Sequence, residues 1–418
     1  MDPQRYISHK IYDKLLPKHS IMLMFFERTP DGKYTGGRPQ KSQLFEFAER
    51  NNIFALDSIP GLHGTHEDPE FFNHAHATDD YKVENKIEIN SVYDEDLYLL
   101  KNKNVYIDHS FEPIQFDVDD YFWNNEVFDY YKDKNKNIAM TSGSFFCNPT
   151  VGDRLFLLHS ERSSEDIEKI RKLITVQKVH PVYWFANGYL CATEWYRHLS
   201  LDVFKNFKDR PIRNKFVCLN RLIDGSKKYR IDLLNLLNLE HAVYSLPANC
   251  PNTGRALNDI VPNNTVQANE FDGIPNESAD VNLKYLTPIN TSFLHVVTET
   301  VFQEQKHHLT EKTFKPIVLQ QPFVLAAPAG CLGYLKSYGF KTFDRWWDEG
   351  YDKISNHQQR LQAIADIVND IAKKDYSELY NMQEEMTEVL EHNRRLFYGS
   401  FATDCWHELQ QNIKQFEF

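Results

Sequence analysis

Apolar and polar residues follow one another in blocks that predict alternating strands and helices in the first half of the chain. Apolar runs suited to buried strands occupy residues 21–26, 105–107 and 138–141. Helical spacing of apolar residues occurs at residues 42–50 and 163–174. Because strand, loop and helix succeed one another, we predict a parallel sheet with helices on both faces.

The second half repeats this alternation from about residue 211 onward. Predicted strands cover residues 215–219, 291–298 and 322–326. Predicted helices cover residues 228–239, 311–320, 330–338, 360–372 and 377–397. Between them, residues 246–290 are rich in Asn, Pro and Asp and too long for an ordinary connection, so we interpret them as a functional loop or an insertion.

Length and element order predict three regions. At roughly 150 residues per domain, 418 residues accommodate two or three domains, or one two-lobed enzyme. We assign residues 1–205 to a first α/β lobe and residues 206–375, with the insertion 246–290, to a second. Residues 376–418 are predicted to be C-terminal helices that pack back on the first lobe.

Charge is unevenly distributed along the chain. The 47 Lys and Arg against 59 Asp and Glu give a net charge of −12, which argues against indiscriminate coating of nucleic acid. Residues 205–230, however, hold nine Lys or Arg and two Asp, a local excess of 9 − 2 = +7. This contrast predicts a local anion site.

Segments that would export or anchor the chain are not expected. The longest apolar runs are far shorter than the ~20 residues that span a bilayer, and the first residues lack an apolar segment. The six cysteines form no CxxC pair, which is typical of buried thiols in a reducing compartment. We therefore predict a soluble cytoplasmic protein with no membrane partner.

Motifs of several common nucleotide-dependent and hydrolytic enzymes do not occur. The sequence lacks GxxxxGK[ST], a GxGxxG after a strand, and GxSxG, which removes the usual support for kinases, P-loop proteins, simple dehydrogenases and α/β-hydrolases. The strongest signal is instead Thr298-Glu-Thr300 followed by Leu309-Thr-Glu-Lys-Thr-Phe-Lys-Pro316. A strand that leads through a loop into a helix is where open α/β sheets bind ligands.

Glu311 and Lys312 are predicted to lie in the first turn of that helix, where backbone N–H groups and the positive dipole end attract phosphate. A carboxylate can accept hydrogen bonds from both ribose hydroxyls, and an ammonium can neutralise a pyrophosphate oxygen. The alternative is that Glu311 is an ordinary helix-start acid and Lys312 a solvated surface charge. The local pattern alone leaves both open.

A second cationic loop follows the strand predicted at residues 215–219. Asn220 and Arg221 come directly after it, and Lys227, Lys228 and Arg230 follow. Arginine offers fork-shaped donors that match two phosphate oxygens at once. These cations either belong to a diphosphate pocket or form the solvated basic face of a helix. Two such loops in one lobe favour the pocket.

These motifs resemble those of a group of phage and bacterial glycosyltransferase-like proteins. The resemblance covers about a third of the chain, from Lys215 to about Arg360, through Phe-Val-Cys-Leu-Asn-Arg221, Thr298-Glu-Thr300 and Thr310-Glu-Lys-Thr-Phe-Lys-Pro-Ile317. More distantly, Thr310-Glu-Lys312 is similar to the donor-site motif of the α-1,3-fucosyltransferases. The fucosyltransferase signature before the Glu-Lys pair is not reproduced, so GDP-fucose is not implied as the donor.

The resemblance implies a GT-B-like α/β fold, in which two Rossmann-like lobes have parallel sheets that face each other across a cleft. It implies a nucleoside-diphosphate sugar as substrate, no separate cofactor, and the host cytoplasm as location if the protein is viral. Glu311 would contact ribose, and Lys312 with Arg221 or Arg230 would contact the diphosphate. Glu299 would lie near the sugar or help to orient Lys312. The donor-binding set implied by the match is Asn220, Arg221, Arg230, Glu299, Thr310, Glu311, Lys312 and Thr313.

Transfer to a hydroxyl also needs a base, commonly a carboxylate within hydrogen-bond reach. Asp108 and Glu112 follow the predicted strand 105–107 and are our candidates for this catalytic role. Alternatively, Asp108 caps a turn and Glu112 is a surface acid.

Two metal sites compete with a metal-independent mechanism. Asp94-Glu-Asp96 and Asp117-Val-Asp119 match the DxD pattern that holds Mn²⁺ or Mg²⁺ against a diphosphate. Histidines that offer imidazoles to zinc occur at His63, His66, His74 and His76. Chance matches are expected among 59 acids, and the histidines lie in a polar, loop-like region, so we predict no metal.

The acceptor is the least constrained part of the hypothesis. It is a glycan, a protein, or a hydroxymethylated base in phage DNA, which would make this a DNA-modification enzyme and require a positive path for the backbone. Aromatic pairs such as Tyr183-Trp184 and Trp346-Trp347 belong to the core or stack on a sugar or base. The rival functions are a non-catalytic nucleotide- or glycan-binding module and a structural protein with a degenerate transferase lobe.

Overall fold

The computed structural model describes residues 21–24, 27–28, 34–35, 105–110, 113–114, 155–173, 179–196, 207–251, 253–269 and 289–416. Its contacts divide the chain into two units. The first unit comprises residues 1–185 and 408–418, and the second unit comprises residues 186–407. Both are α/β in character and contain sheets of parallel strands.

The first unit contains a parallel sheet. Its strands and helix are β1 (Ile21–Met24), β2 (Glu27–Arg28), β3 (Tyr34–Thr35), β4 (Val105–His109), β5 (Leu155–His159), α1 (Glu165–Leu173) and β6 (Val179–Tyr183). The sheet order is β1-β4-β5-β6, and β2 pairs with β3 in a separate antiparallel ribbon. Three consecutive apolar residues, Phe156, Leu157 and Leu158, are all buried, as expected for a strand covered on both faces.

The second unit carries another parallel sheet and most of the helices among the described residues. Its elements are α2 (Ala186–Leu190), β7 (Asn214–Leu219), α3 (Tyr229–Leu236), β8 (Ala242–Ser245), α4 (Leu257–Ile260), β9 (Ser292–Thr298), α5 (Glu311–Val318), β10 (Phe323–Ala326), α6 (Cys331–Ser337), α7 (His357–Lys373), α8 (Tyr376–Glu385), α9 (Thr387–Leu396) and α10 (Ala402–Lys414). The boundary between the units falls within α10. Short 3₁₀ segments lie at Phe207–Asp209, Gly225–Lys227 and Glu349–Lys353, and π-helical turns lie at Cys191–Trp195 and Phe397–Phe401.

The strand order of this second sheet is β10-β9-β7-β8, with every pair parallel. The chain runs from β7 outward to β8, returns to place β9 on the other side of β7, and continues outward to β10. The order therefore reverses between β7 and β9, which makes their carboxyl ends the topological switch point of the sheet. All seven residues of β9 are buried.

Helix α5 packs its apolar face against the C-terminal helical region. Phe314 lies at the centre, with its ring centroid 5.6 Å from that of Phe397 and 5.3 Å from that of Phe401. The ring of Phe340 completes the cluster at 5.0 Å from Phe401. This packing fixes the helix whose first turn carries the Glu311–Lys312 pair.

The predicted strands and helices of the second half occur with bounds shifted by a few residues, apart from one correction. The helix predicted over residues 377–397 is three elements, because α8 ends at Glu385, α9 restarts at Thr387, and a π-helical turn begins at Phe397. Within the predicted insertion 246–290, the described part is ordered by backbone pairs of Leu246 with Asn269 and of Asn249 with Ala256, and it contains α4.

Several other predictions lie outside the described residues, including the strand at 138–141 and the helix at 42–50. The predicted domain bounds of 1–205, 206–375 and 376–418 stay a prediction. In the described part of the chain, no helix is both long and apolar enough to cross a bilayer. The described cysteines are buried, and none forms a disulfide with another described residue.

Candidate functional site

The switch point of the second sheet is held together by Asn220, the residue that follows β7. Its Oδ1 accepts a hydrogen bond from Thr298 Oγ1 at 2.8 Å, at the end of β9. Its backbone N–H donates to Ser245 Oγ at 2.8 Å, and Ser245 Oγ donates back to the Asn220 carbonyl at 3.0 Å. Asn220 thus links the carboxyl ends of β8, β7 and β9. Open α/β sheets bind ligands at such a position.

Glu299 is the hub of the loop that leaves β9. Its side chain is fully buried, and its carboxylate accepts four hydrogen bonds. Oε1 accepts from the Thr310 N–H at 3.0 Å and from Thr313 Oγ1 at 2.6 Å. Oε2 accepts from Thr310 Oγ1 at 2.7 Å and from the Thr300 N–H at 3.1 Å. Glu299 therefore fixes the start of α5 relative to the end of β9.

Thr310 is the N-cap of α5. Its backbone is extended, and its hydroxyl oxygen accepts a hydrogen bond from the Lys312 N–H at 3.4 Å. The same hydroxyl donates a hydrogen bond to Glu299, so the Thr310 side chain joins the first turn of α5 to the loop that follows β9. Thr313, one turn further, is also fully buried and donates to the same carboxylate.

Lys312 projects its ammonium over this cap. Nζ donates to Glu311 Oε1 at 2.8 Å and to the hydroxyls of Thr300 and Thr310, each at 3.3 Å. Burial opposes its charge, but the carboxylates of Glu311 and Glu299 outweigh that effect and raise the pKa of Lys312 above its ordinary value. The Lys312 side chain keeps 27% of its surface exposed, whereas that of Glu311 keeps 11%. Lys312 is thus charged at neutral pH, and its side chain is partly exposed.

The two arginines predicted to bind the donor differ in burial. Arg221 is exposed in the loop after β7. Arg230 is 4% exposed, and its guanidinium donates to backbone carbonyls of Leu222 at 2.9 Å, Thr298 at 3.1 Å and Glu299 at 2.9 Å. Its Nε has no hydrogen-bond partner among the described residues. Arg230 thus fastens the two loops of the switch point through main-chain oxygens.

Cys191 lies beside the Glu299–Lys312 cluster and was not singled out from the sequence. It is fully buried in the π-helical turn that follows α2. Burial raises the pKa of its thiol well above the ordinary value, and the charges of Glu311 and Glu299 raise it further. A thiol in this environment stays protonated and is a poor nucleophile.

A second helix start, that of α6, lies beyond the end of β10. Asp352 receives the N–H groups of Leu332 at 3.0 Å and Gly333 at 3.2 Å on its carboxylate. The preceding Gly330 has φ +88°, and the imidazole of His307 lies directly over it. A protein carboxylate thus occupies the position that an anion would take at this short helix. No sequence motif indicated this contact, because its partners are distant in the chain.

The loop after β7 is fastened by Asp224 to the segment of residues 246–251 and 253–269. Its carboxylate accepts from the Gly225 N–H at 2.8 Å, from Thr253 Oγ1 at 2.9 Å and from Arg255 Nη1 at 2.9 Å. Burial favours the neutral acid, but these hydrogen bonds and the Arg255 charge outweigh it and lower the pKa of Asp224. A carboxyl whose pKa is lowered on folding stabilises the folded form above its unfolded pKa and loses that contribution as the pH falls through the folded value.

We therefore expect hydrogen exchange at residues 249–257 to accelerate as the pH falls below the ordinary range of aspartate, once the intrinsic rates are taken into account. Asp224→Asn should abolish this acceleration at low pH and raise exchange at neutral pH. The expected rise is only about 2- to 5-fold, because Arg255 is half exposed and its ion pair with Asp224 is partly screened. Asp259→Asn, in the same segment, is the matched control and should leave exchange unchanged. Equal exchange in all three proteins at every pH contradicts the prediction.

The remaining predicted site residues lie in or near the first unit. Asp108 falls inside β4, which extends to His109, so it does not follow the strand as predicted. Glu112, both DxD matches and the four histidines at 63, 66, 74 and 76 lie outside the described residues. Among the residues that the structure does describe, no group of three or more His, Cys, Asp or Glu side chains is placed to hold a metal ion.

No protein-family model matches the chain, and no curated protein is significantly similar to it. The class defined by the fold and this geometry is therefore an α/β protein whose second unit has a parallel, doubly wound sheet with a polar cluster at its switch point.

Proposed function

We propose that the protein is a glycosyltransferase that moves a sugar from a nucleoside-diphosphate donor to an acceptor hydroxyl. The observation that carries the proposal is the Lys312 side chain, which is charged, partly exposed and held at the carboxyl edge of a doubly wound sheet. Such edges bind nucleotides in many α/β proteins, and a lysine at a helix start is suited to a phosphate oxygen.

The neighbouring groups support a donor that has both ribose hydroxyls and a charged diphosphate. The Glu311 carboxylate lies 2.8 Å from Lys312 Nζ, so an acceptor for hydroxyl protons and a cation for phosphate stand side by side. Arg221 in the loop across the switch point adds a fork-shaped cation. The GT-B-like arrangement of two lobes, with Asp108 or Glu112 as base, belongs to the same proposal, as does the absence of a required metal.

The acceptor class remains part of the proposal: a glycan, a protein, or a hydroxymethylated base in phage DNA. A DNA acceptor predicts different behaviour from a glycan or protein acceptor. A DNA acceptor requires transfer to stop when the modified base is replaced by its plain form, and requires retention on DNA to be sensitive to salt and nuclease.

The proposal is tested by incubating the full chain with a panel of nucleotide-sugars while measuring thermal stability and release of nucleoside diphosphate. One donor should both stabilise the protein and release its diphosphate, and a chelator should leave the release unchanged. Stabilisation without release identifies the non-catalytic binding module instead. No response to any donor contradicts the proposal.

In the same assay Lys312→Met should weaken donor binding by about 10- to 100-fold, because a charge-assisted hydrogen bond to phosphate contributes about 1.5–3 kcal/mol. The matched control is Lys336→Met. Lys336 is also paired with carboxylates, at 3.1 Å from Asp344 and 3.2 Å from Glu349, but it lies on α6. Equal binding by the two variants removes Lys312 from the donor site.

A further inference from the structure

The segment that leaves β9 is held in place by side chains that donate hydrogen bonds to its main-chain carbonyl groups. The carbonyls of Thr298 and Glu299 accept hydrogen bonds from Arg230, and that of Glu299 also accepts from the Tyr229 hydroxyl. Further along, the Phe302 carbonyl accepts from Arg360. These hydrogen bonds fix the main chain of the segment, while the Glu299 side chain points to Thr310.

Arg360 is the member of this set that gathers the most segments. It lies in the first turn of α7 and is 2% exposed. Its guanidinium donates to carbonyls of the two loops after β9 and β10, namely Phe302 and Ala327, and to carbonyls of Ile354 and Ser355 before α7. Fork-shaped donation to several oxygens in fixed directions is a property of arginine that lysine does not share.

The ring of Phe302 carries this constraint toward Glu299. The Arg360 guanidinium lies 4.7 Å from the ring centroid on one side, a cation–π contact. Tyr229 stacks on the ring at 4.3 Å with an interplanar angle of 13°. Both aromatic side chains are buried, and the Tyr229 hydroxyl reaches the Glu299 carbonyl. The result is a continuous set of contacts from Arg360 through Phe302 and Tyr229 to Glu299.

We infer that Arg360 is a positioning residue for the anion site at Lys312, acting through Phe302, Tyr229 and the Glu299 carboxylate. The inference rests on the proposed function in one respect, since that function makes Lys312 the ligand contact. Without the Arg360 guanidinium, residues 299–302 should move, and the hydrogen bonds of the Glu299 carboxylate to Thr310 and Thr313 should weaken. Lys312 would then lie farther from one of the two carboxylates that keep it charged.

The test compares Arg360→Lys with wild type by two measurements. The first is the rate at which an amine-acylating reagent modifies Lys312 at pH 8.5, measured by peptide mass spectrometry and divided by the rate for Lys336 in the same molecule. We expect this ratio to rise about 3- to 10-fold, because a weaker carboxylate field leaves more Lys312 unprotonated. The second is calorimetric affinity for inorganic pyrophosphate, which should fall about 10-fold.

Two further variants make the outcome decisive. Arg394→Lys alters an equally buried arginine, 2% exposed, that donates to Gln320 at 3.1 Å, and it should leave the ratio unchanged. Phe302→Leu keeps Arg360 but removes the ring that both Arg360 and Tyr229 contact, so it should raise the ratio, and it decides the matter if Arg360→Lys does not fold.

Each result has a defined meaning. An unchanged ratio in Arg360→Lys and in Phe302→Leu overturns the inference, whatever happens to pyrophosphate affinity or melting temperature. An equal rise in Arg394→Lys also overturns it, because the effect is then general loosening. If wild type binds no pyrophosphate while the ratio rises as expected, the positioning role stands and the proposed function fails.

Discussion

Replacing Glu299 by alanine is expected to destabilise the second unit by about 3–5 kcal/mol. The reason is the number of donors that converge on one buried carboxylate. The backbone N–H groups of Thr300 and Thr310 and the hydroxyls of Thr310 and Thr313 all lose their acceptor. The positive charge of Lys312 then faces Glu311 alone. The start of α5 should detach from the end of β9.

The measurement is hydrogen exchange at the amides of β9, which are buried and report the opening of the second unit without requiring the whole chain to unfold in one step. Glu299→Gln preserves the shape but leaves a single acceptor oxygen, so its effect should be intermediate, about 2–3 kcal/mol. Glu304→Gln is the matched control in the same loop, because its Oε2 has no partner among the described residues. A similar small effect for Glu299→Ala and Glu304→Gln contradicts the prediction.

Gly330→Ala is expected to destabilise the second unit by about 2–4 kcal/mol. The backbone at Gly330 has φ +88°, which strains any residue with a Cβ. In addition, that Cβ would lie 2.5 Å from His307 Nε2 and 3.1 Å from His307 Cε1. The imidazole would have to leave its position 3.1 Å from the Ala329 carbonyl and its stack on Tyr334.

Gly225→Ala separates the two contributions. Gly225 has φ +58°, but a Cβ there would meet nothing within 4 Å, so only backbone strain of about 1 kcal/mol is expected. The double variant Gly330→Ala with His307→Ala should recover the steric part, giving a coupling of about 1–2 kcal/mol in a double-mutant cycle. Strict additivity of the two substitutions contradicts the contact as described. The measurement is thermal unfolding of wild type, Gly330→Ala, His307→Ala and the double variant, with Gly225→Ala alongside them.

The sequence predicted the elements of the second unit well where an apolar run was bounded by polar loops. The strand β9 is an example, since a short run rich in Val, Leu and Phe between polar loops is typical of a buried strand, and all seven of its residues are buried. The C-terminal helices were less predictable, because residues 377–397 contain no Gly or Pro to mark a break. The interruption at Met386 and the π-helical turn at Phe397 come from packing against the rest of the unit, which local spacing does not reveal.

The candidate site was predictable as a set of residues but not as a set of roles. Residue spacing does not show whether an arginine side chain is exposed or is buried against carbonyl groups. Arg221 is exposed, whereas Arg230 is buried. Arg360 was the most hidden case. It lies in the first turn of an amphipathic helix next to Leu361, so its sequence position is equally compatible with a solvated charge. Its buried acceptors come from the approach of two distant loops, at Phe302 and Ala327.

The first unit combines two segments that are far apart in the sequence, residues 1–185 and 408–418, and this has a consequence for biosynthesis. Asn412 donates to the Tyr183 carbonyl at 2.9 Å, and the ring of Phe416 lies 4.7 Å from that of His180 and 6.0 Å from that of Phe156. Residues 408–416 leave the ribosome after everything they pack against. We therefore expect the second unit to mature before the first during translation, because the ring of Phe156 in β5 stays partly uncovered until residues 408–416 have been synthesised.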